Sequence, residues 1–144
     1  MTDSFAELAS RIEAGVAKFH AALPVALAEA GEIVKLNAQA RLGHYQAGWP
    51  ELTAETQAER ARQGYTANDP LLRTGALRDA IAVRVAGNEA AIGVSGDMAV
   101  IAGAHEFGTG HVPPRPFLRP ALEETIEATG VTIARAFITA LEER

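Results

Sequence analysis

A chain of 144 residues, of which 48% are hydrophobic and 22% charged, has the size and apolar content of one globular domain. The absence of cysteine excludes disulfides and thiolate metal sites, and no apolar run approaches the roughly 18 residues needed to span a bilayer. A formal net charge of −5, with 13 basic residues scattered along the chain, argues against general nucleic-acid binding, which needs clustered Lys and Arg.

The N-terminal residues 1–42 predict helices. Their opening sequence lacks the basic region and apolar core of a signal peptide, so we expect synthesis in the cytosol. Ser4 and Glu7 have the capping-box spacing, and apolar residues follow at steps of three or four. Pro24 removes a helical hydrogen bond, so it either kinks this helix or begins a second one. Gly31 is a weak point in the helical pattern that continues after it.

Residues 43–70 predict a long loop, because Gly, Pro, Asn and charged residues become frequent and the apolar periodicity disappears. A short polar helix over residues 53–62 has almost no apolar face with which to dock. A connection of this length is typical of a functional segment or of one that a partner orders. Trp49 either pins the loop to the core, which is the favoured interpretation, or forms an intersubunit contact, where tryptophan is enriched.

An antiparallel β-hairpin is predicted over residues 80–95, where two alternating apolar runs surround the dipeptide Gly87-Asn88. An isolated hairpin is only marginally stable. We therefore expect the extended arm at residues 111–117, or another subunit, to supply a further strand.

A short helix should follow the hairpin. Asp97 is its predicted N-cap, and Val100, Ala104 and Phe107 have the spacing that gives a helix one apolar face. Gly108 is the predicted C-cap, because glycine accepts backbone angles that are closed to other residues.

A proline-rich arm comes next. The sequence HVPPRP at residues 111–116 fixes extended backbone, so we expect it to form a stiff, polyproline-like segment. Phe117 and Leu118 are its predicted apolar anchor. Arg115 is expected to be solvated, to pair with a carboxylate or to contact another subunit.

Together these elements predict an α+β fold in a single domain, residues 1–144. N-terminal helices and a long C-terminal helix should pack on a small antiparallel sheet made of the hairpin and the arm. The predicted segments are the helices of residues 1–42, the loop of 43–70, the hairpin, short helix and arm of 71–118, and the C-terminal helix of 119–144.

The chemically reactive residues form no recognised catalytic pattern. His105, Glu106 and His111 resemble a zinc-protease motif, but that motif needs its two histidines four residues apart on one helix, and here six residues separate them. A metal-dependent hydrolase that uses these three residues is the alternative function. His105 is most simply a capping or packing histidine, and no serine lies in a nucleophile-elbow context.

The order of several short motifs carries a family resemblance. Along the chain follow WPELT from Trp49, LRTGAL from Leu72, the hairpin, AHEFG from Ala104 and PPRPFL from Pro113. In this order and spacing the chain resembles tailed-phage virion morphogenesis and tail-completion proteins, of the Mu-like and lambdoid head-tail connector type. Two features differ from the family pattern: Glu106 stands where Mu-like members often have glutamine, and no basic run follows the first motif.

The resemblance implies a structural protein, not an enzyme, that uses no cofactor and joins its own copies into a ring, expected to be a hexamer, at the head-tail junction. Its expected partners are copies of itself, a head-side connector or adaptor protein, and tail tube or tail terminator proteins. DNA would only pass through the ring, and no membrane is involved. Such a subunit is made in the host cytoplasm and ends in a virion or virion-like particle. A phage, a prophage and a gene transfer agent stay open as its source.

The predicted assembly contacts come from the motifs that carry the resemblance. They are Trp49, His105, Glu106, Phe107, Gly108, Arg115, Pro116, Phe117 and Leu118.

Overall fold

The structure is a computed structural model that describes residues 4–143. The predicted α+β class is confirmed, with five helices and a two-stranded antiparallel sheet in that range. Within it, no helix combines the length and the apolar character needed to cross a membrane. The elements are α1 (Phe5–Arg41), α2 (Ala54–Arg62), α3 (Ala76–Asp79), β1 (Ile81–Ala86), β2 (Glu89–Val94), α4 (Met98–Phe107) and α5 (Leu118–Glu142).

The predicted N-terminal helices are a single helix, α1, which continues through Pro24. The capping box is confirmed: the Ser4 N–H donates to Glu7 Oε2 at 2.6 Å, and the Glu7 N–H donates to Ser4 Oγ at 3.2 Å. Gly31 is a packing position, because a Cβ placed there would collide with the side chain of Val83 in β1. The glycine that weakens the helix therefore permits close approach of the hairpin.

The chain divides into two compact units by its internal contacts. Within the described range, the first consists of residues 4–33, 83–91 and 126–143, and the second consists of residues 34–82 and 92–125. In the first unit, the rings of Phe19 and Phe137 meet edge to face with centroids 5.2 Å apart, a favourable arrangement for two aromatic side chains.

The main hydrophobic core belongs to the second unit. Phe117 is fully buried there, and Trp49 is buried in the same cluster, as the favoured interpretation of this residue predicted. Small side chains from three helices let the backbones approach closely around these aromatic rings. The cluster consists of Val34, Ala38, Leu42, Trp49, Leu71, Leu77, Ile81, Ala102, Phe117 and Ala121.

The predicted hairpin is confirmed, with Gly87 at a φ of 59° in its turn. The prediction that the arm adds a strand was wrong, because the sheet contains only β1 and β2 in the described chain. Prolines leave the arm few N–H groups for a ladder. Its Arg115 N–H donates instead to the His105 carbonyl at 2.6 Å.

The long connection of residues 43–70 is held by contacts within its own chain. It contains the predicted polar helix as α2, whose N-cap Thr53 accepts a hydrogen bond from a backbone N–H and which has no buried residue. The Tyr45 hydroxyl donates to Asn68 Oδ1 at 2.6 Å and accepts from the Leu52 N–H at 2.9 Å. These bonds, together with the buried Trp49, order the connection without a partner chain.

The short helix α4 has its predicted bounds, and its predicted apolar face is not the face that is buried. Val100 and Phe107, which the spacing places on one apolar face of this helix, are 79% and 83% exposed. Ala102 and Glu106 are buried instead. The α4 sequence is apolar on nearly every side, so its periodicity could not select the inward face.

Phe117 and Phe107 make a matched pair for testing this core. Phe117→Ala should lower the free energy of unfolding by about 3–5 kcal/mol, because it leaves a cavity at the centre of the core. Phe107→Ala should change it by less than about 0.5 kcal/mol, because its side chain is exposed. Urea denaturation of both variants measures the difference, and equal losses would contradict the placement of Phe117.

Candidate assembly site

The stretch from His105 to Leu118 contains most of the predicted contact residues, and Glu106 holds it together. Its buried carboxylate accepts hydrogen bonds from the N–H groups of Phe117, Leu118 and Arg119 at 2.8, 3.0 and 2.9 Å. The first N–H groups of a helix have no acceptor within the helix, and its N-terminus favours negative charge. Glu106 is therefore a cap that α4 supplies to the start of α5.

Arg115 connects the same stretch to the long connection before α2. Its guanidinium donates to the Pro50 carbonyl at 3.0 Å from Nε and 2.6 Å from Nη2, and to the Glu51 carbonyl at 3.2 Å. The side chain is only 4% exposed. The expectation that Arg115 is solvated or paired with a carboxylate was therefore wrong, because its partners in the described chain are backbone carbonyls.

The arm between α4 and α5 folds back onto its own chain. Gly108 ends α4 with a φ of 75°, as predicted, and lies against Pro114. Thr109 then closes a turn, because its hydroxyl accepts from the N–H groups of His111 and Val112 at 3.2 and 3.0 Å. The arm thus leads from this turn into the core at Phe117, and its contact with another subunit stays a prediction.

His105 is half-buried, and its Nδ1 is enclosed without a hydrogen-bond partner among the described residues. Burial lowers the pKa of His105, and the positive charges of Arg115 and Arg60 lower it further. The ring is therefore neutral over most of the physiological range. As a packing histidine it matches the simplest interpretation of the sequence.

The three residues of the alternative metal site do not assemble into one. Among residues 4–143, no group of three or more His, Asp or Glu side chains is arranged to hold a metal ion. The Glu106 carboxylate is already occupied by three backbone N–H groups. Its position therefore serves the fold, and the alternative function gains no support from this geometry.

Four of the nine predicted contact residues are buried in their own chain. Trp49, Glu106, Arg115 and Phe117 are buried, so they present little side-chain surface to a partner. Phe107 is exposed, and its assembly role stays a prediction. The half-buried members are His105, Gly108, Pro116 and Leu118.

The structure shows two exposed apolar residues on α4 that were not among the predicted contacts. Val100 lies on the same face of α4 as Phe107, at the i, i+7 spacing, and Ile101 is exposed on a neighbouring face. We name Val100 and Phe107 the α4 patch. A sequence signal was available, because an exposed helix normally has a polar face and α4 has almost none.

No family model, curated protein or solved structure matches this chain. The resemblance to tail-completion proteins therefore stays a prediction that comes from the motifs.

The cap that Glu106 provides can be tested by Glu106→Gln. An amide offers one acceptor oxygen, and its NH₂ group would face a backbone donor, so we expect a loss of about 1–3 kcal/mol in the free energy of unfolding. The control is Glu123→Gln, which removes only an exposed ion pair with Arg119 and should cost less than about 1 kcal/mol. Equal losses in urea denaturation would contradict the cap.

Proposed function

We propose that this protein is a structural subunit that joins head and tail in a tailed phage, a prophage or a gene transfer agent, and that it acts by forming a ring with its own copies. The observation that carries the proposal is the α4 patch, where Val100 and Phe107 are 79% and 83% exposed on a helix that Glu106 fixes from behind. The order of the sequence motifs supplies the family context.

The α4 patch has the composition of an assembly contact. Full burial of one Val or Phe side chain stabilises by about 1.5–3 kcal/mol, so two such residues contribute as much as a typical interface hot spot. Leaving two such side chains largely exposed on one short helix forgoes this stabilisation. Contact with another protein surface is the simplest way to cover them.

A second exposed apolar surface supports a ring in particular. Phe5, Leu8 and Ile12 lie at helical spacing on α1 in the other compact unit, and all three are exposed. A ring with head-to-tail contacts needs two different patches on each subunit, one for each neighbour. The α4 patch and this surface of α1 are two different apolar patches of the kind that such a ring needs.

The remaining parts of the proposal follow from the family resemblance. The ring is expected to be a hexamer that contacts a head-side connector or adaptor on one side and tail tube or tail terminator proteins on the other. It would assemble in the host cytoplasm and remain in the virion or virion-like particle. The acidic balance of the chain suits a ring bore through which DNA slides without binding.

The test is the mass of the purified protein by light scattering across a concentration series. The wild type should give a discrete oligomer near a hexamer, and the double variant Val100→Ser, Phe107→Ser should shift the mass toward the monomer at every concentration. Both side chains are exposed, so the variant should keep its fold, as far-UV circular dichroism would show.

The matched control is Val25→Ser, which removes an exposed apolar side chain from α1 outside both patches and should leave the mass unchanged. A wild type that is monomeric at all concentrations would contradict ring formation by the free protein. An oligomer that the double variant leaves intact would show that the α4 patch is not the contact.

A further inference from the structure

An open cleft of about 690 Å³ lies within the second compact unit, between α2, the segment that leads into α3, and α4. Its polar wall comes from α2 and from residues 73–75, and its apolar wall includes Leu71, Met98 and Ile101. His105 also lines it. A concave surface with an apolar wall and a few convergent polar groups is the usual form of a binding site.

Two arginines on this wall form no ion pair with a carboxylate among residues 4–143. Arg60 donates to the Asp69 backbone carbonyl at 2.6 Å, and the Arg73 guanidinium lies 5.6 Å from the centre of the Tyr65 ring. The third arginine of the cleft, Arg62, differs because it pairs with Glu59. The cleft thus presents two guanidinium groups whose charge no ion pair within the described part of the chain neutralises.

The pKa shifts of Arg60 and His105 also reflect the arginine charges at this cleft. Burial lowers the pKa of Arg60, and the charges of Arg73 and Arg115 lower it further, although Asp69 and Tyr45 act in the opposite direction. At His105 both of the charged groups that affect the ring are arginines, Arg60 and Arg115. Two arginine charges therefore act on each of these two groups, although the carboxylates of Glu55 and Glu59 also line the cleft.

We propose that this cleft binds a carboxylate group, held by the guanidinium groups of Arg60 and Arg73. Arginine presents a planar fork of donors that matches the two oxygens of a carboxylate. His105 lines the cleft from α4, so its ring can report on an anion that binds there. The carboxylate belongs either to an acidic side chain of a second copy of this chain or to a free small molecule. The site does not depend on ring formation.

Sodium succinate is the probe for the free carboxylate. In protein with isotope-labelled histidine, NMR titration should show that succinate raises the pKa of His105, relative to sodium chloride of the same ionic strength, because a bound anion offsets the two arginine charges. Arg73→Gln should weaken the apparent succinate affinity by about tenfold or more, and Arg73→Lys should restore part of it. The control is Arg119→Gln, whose exposed guanidinium pairs with Glu123 and should have no effect.

Light scattering on the same variants tests whether a second copy of this chain supplies the carboxylate. If a neighbouring copy supplies the carboxylate, Arg73→Gln should lower the oligomer mass, Arg73→Lys should restore part of it, and Arg119→Gln should leave it unchanged. A succinate response that Arg73→Gln removes, without an effect on mass, assigns the site to a free carboxylate and also supports the proposal. The proposal is overturned if succinate does not move the His105 pKa and Arg73→Gln does not change the mass.

A monomeric wild type would refute ring formation by the free protein and would exclude a second copy as the source of the carboxylate. The succinate titration alone would then decide whether the cleft binds a carboxylate. Circular dichroism of each variant confirms that a lost response is not a lost fold.

Discussion

The structure of the second unit depends on one buried carboxylate. The Glu106 side chain extends from α4, and its carboxylate accepts hydrogen bonds from the first backbone N–H groups of α5. The end of one helix therefore fixes the start of the next. Arg115 lies between the two helices and binds the carbonyls of Pro50 and Glu51, which fastens the connection before α2 to the same point. A buried charge is stable only where hydrogen bonds compensate it, and both of these side chains are compensated by backbone groups. The result is a join between the neighbouring ends of α4 and α5 and a segment about 65 residues earlier in the chain.

This join also explains how an apolar helix comes to face solvent. With Ala102 and Glu106 turned inward, the helical period places Val100 and Phe107 on the outside. The side chains that look reactive in the sequence thus support the fold, and the predicted apolar face of α4 forms part of the surface. Our proposal of an assembly protein rests on this exposed apolar face of α4. It agrees with the family resemblance without depending on any catalytic group.

Local signals in the sequence predicted much of the fold. The capping box at Ser4, the turn at Gly87 and the cap at Gly108 are each specified by a few neighbouring residues, and all three are confirmed. The candidate site was less predictable, because it depends on contacts between distant residues. Arg115 finds its acceptor at Pro50, 65 positions away, and no local pattern indicates such a pairing. The buried face of α4 could not be predicted for the same reason, because its buried polar residue, Glu106, has its hydrogen-bond partners at the start of another helix.

The central claim is that Glu106 caps α5, and amide hydrogen exchange of the wild-type protein tests it most directly. The N–H groups of Phe117, Leu118 and Arg119 have no acceptor within the helix, so without the carboxylate they would exchange at nearly the rate of an unfolded chain. The account predicts that the Phe117 and Leu118 amides exchange as slowly as those in the middle of α5. Rapid exchange at these two amides in an otherwise protected helix would contradict it.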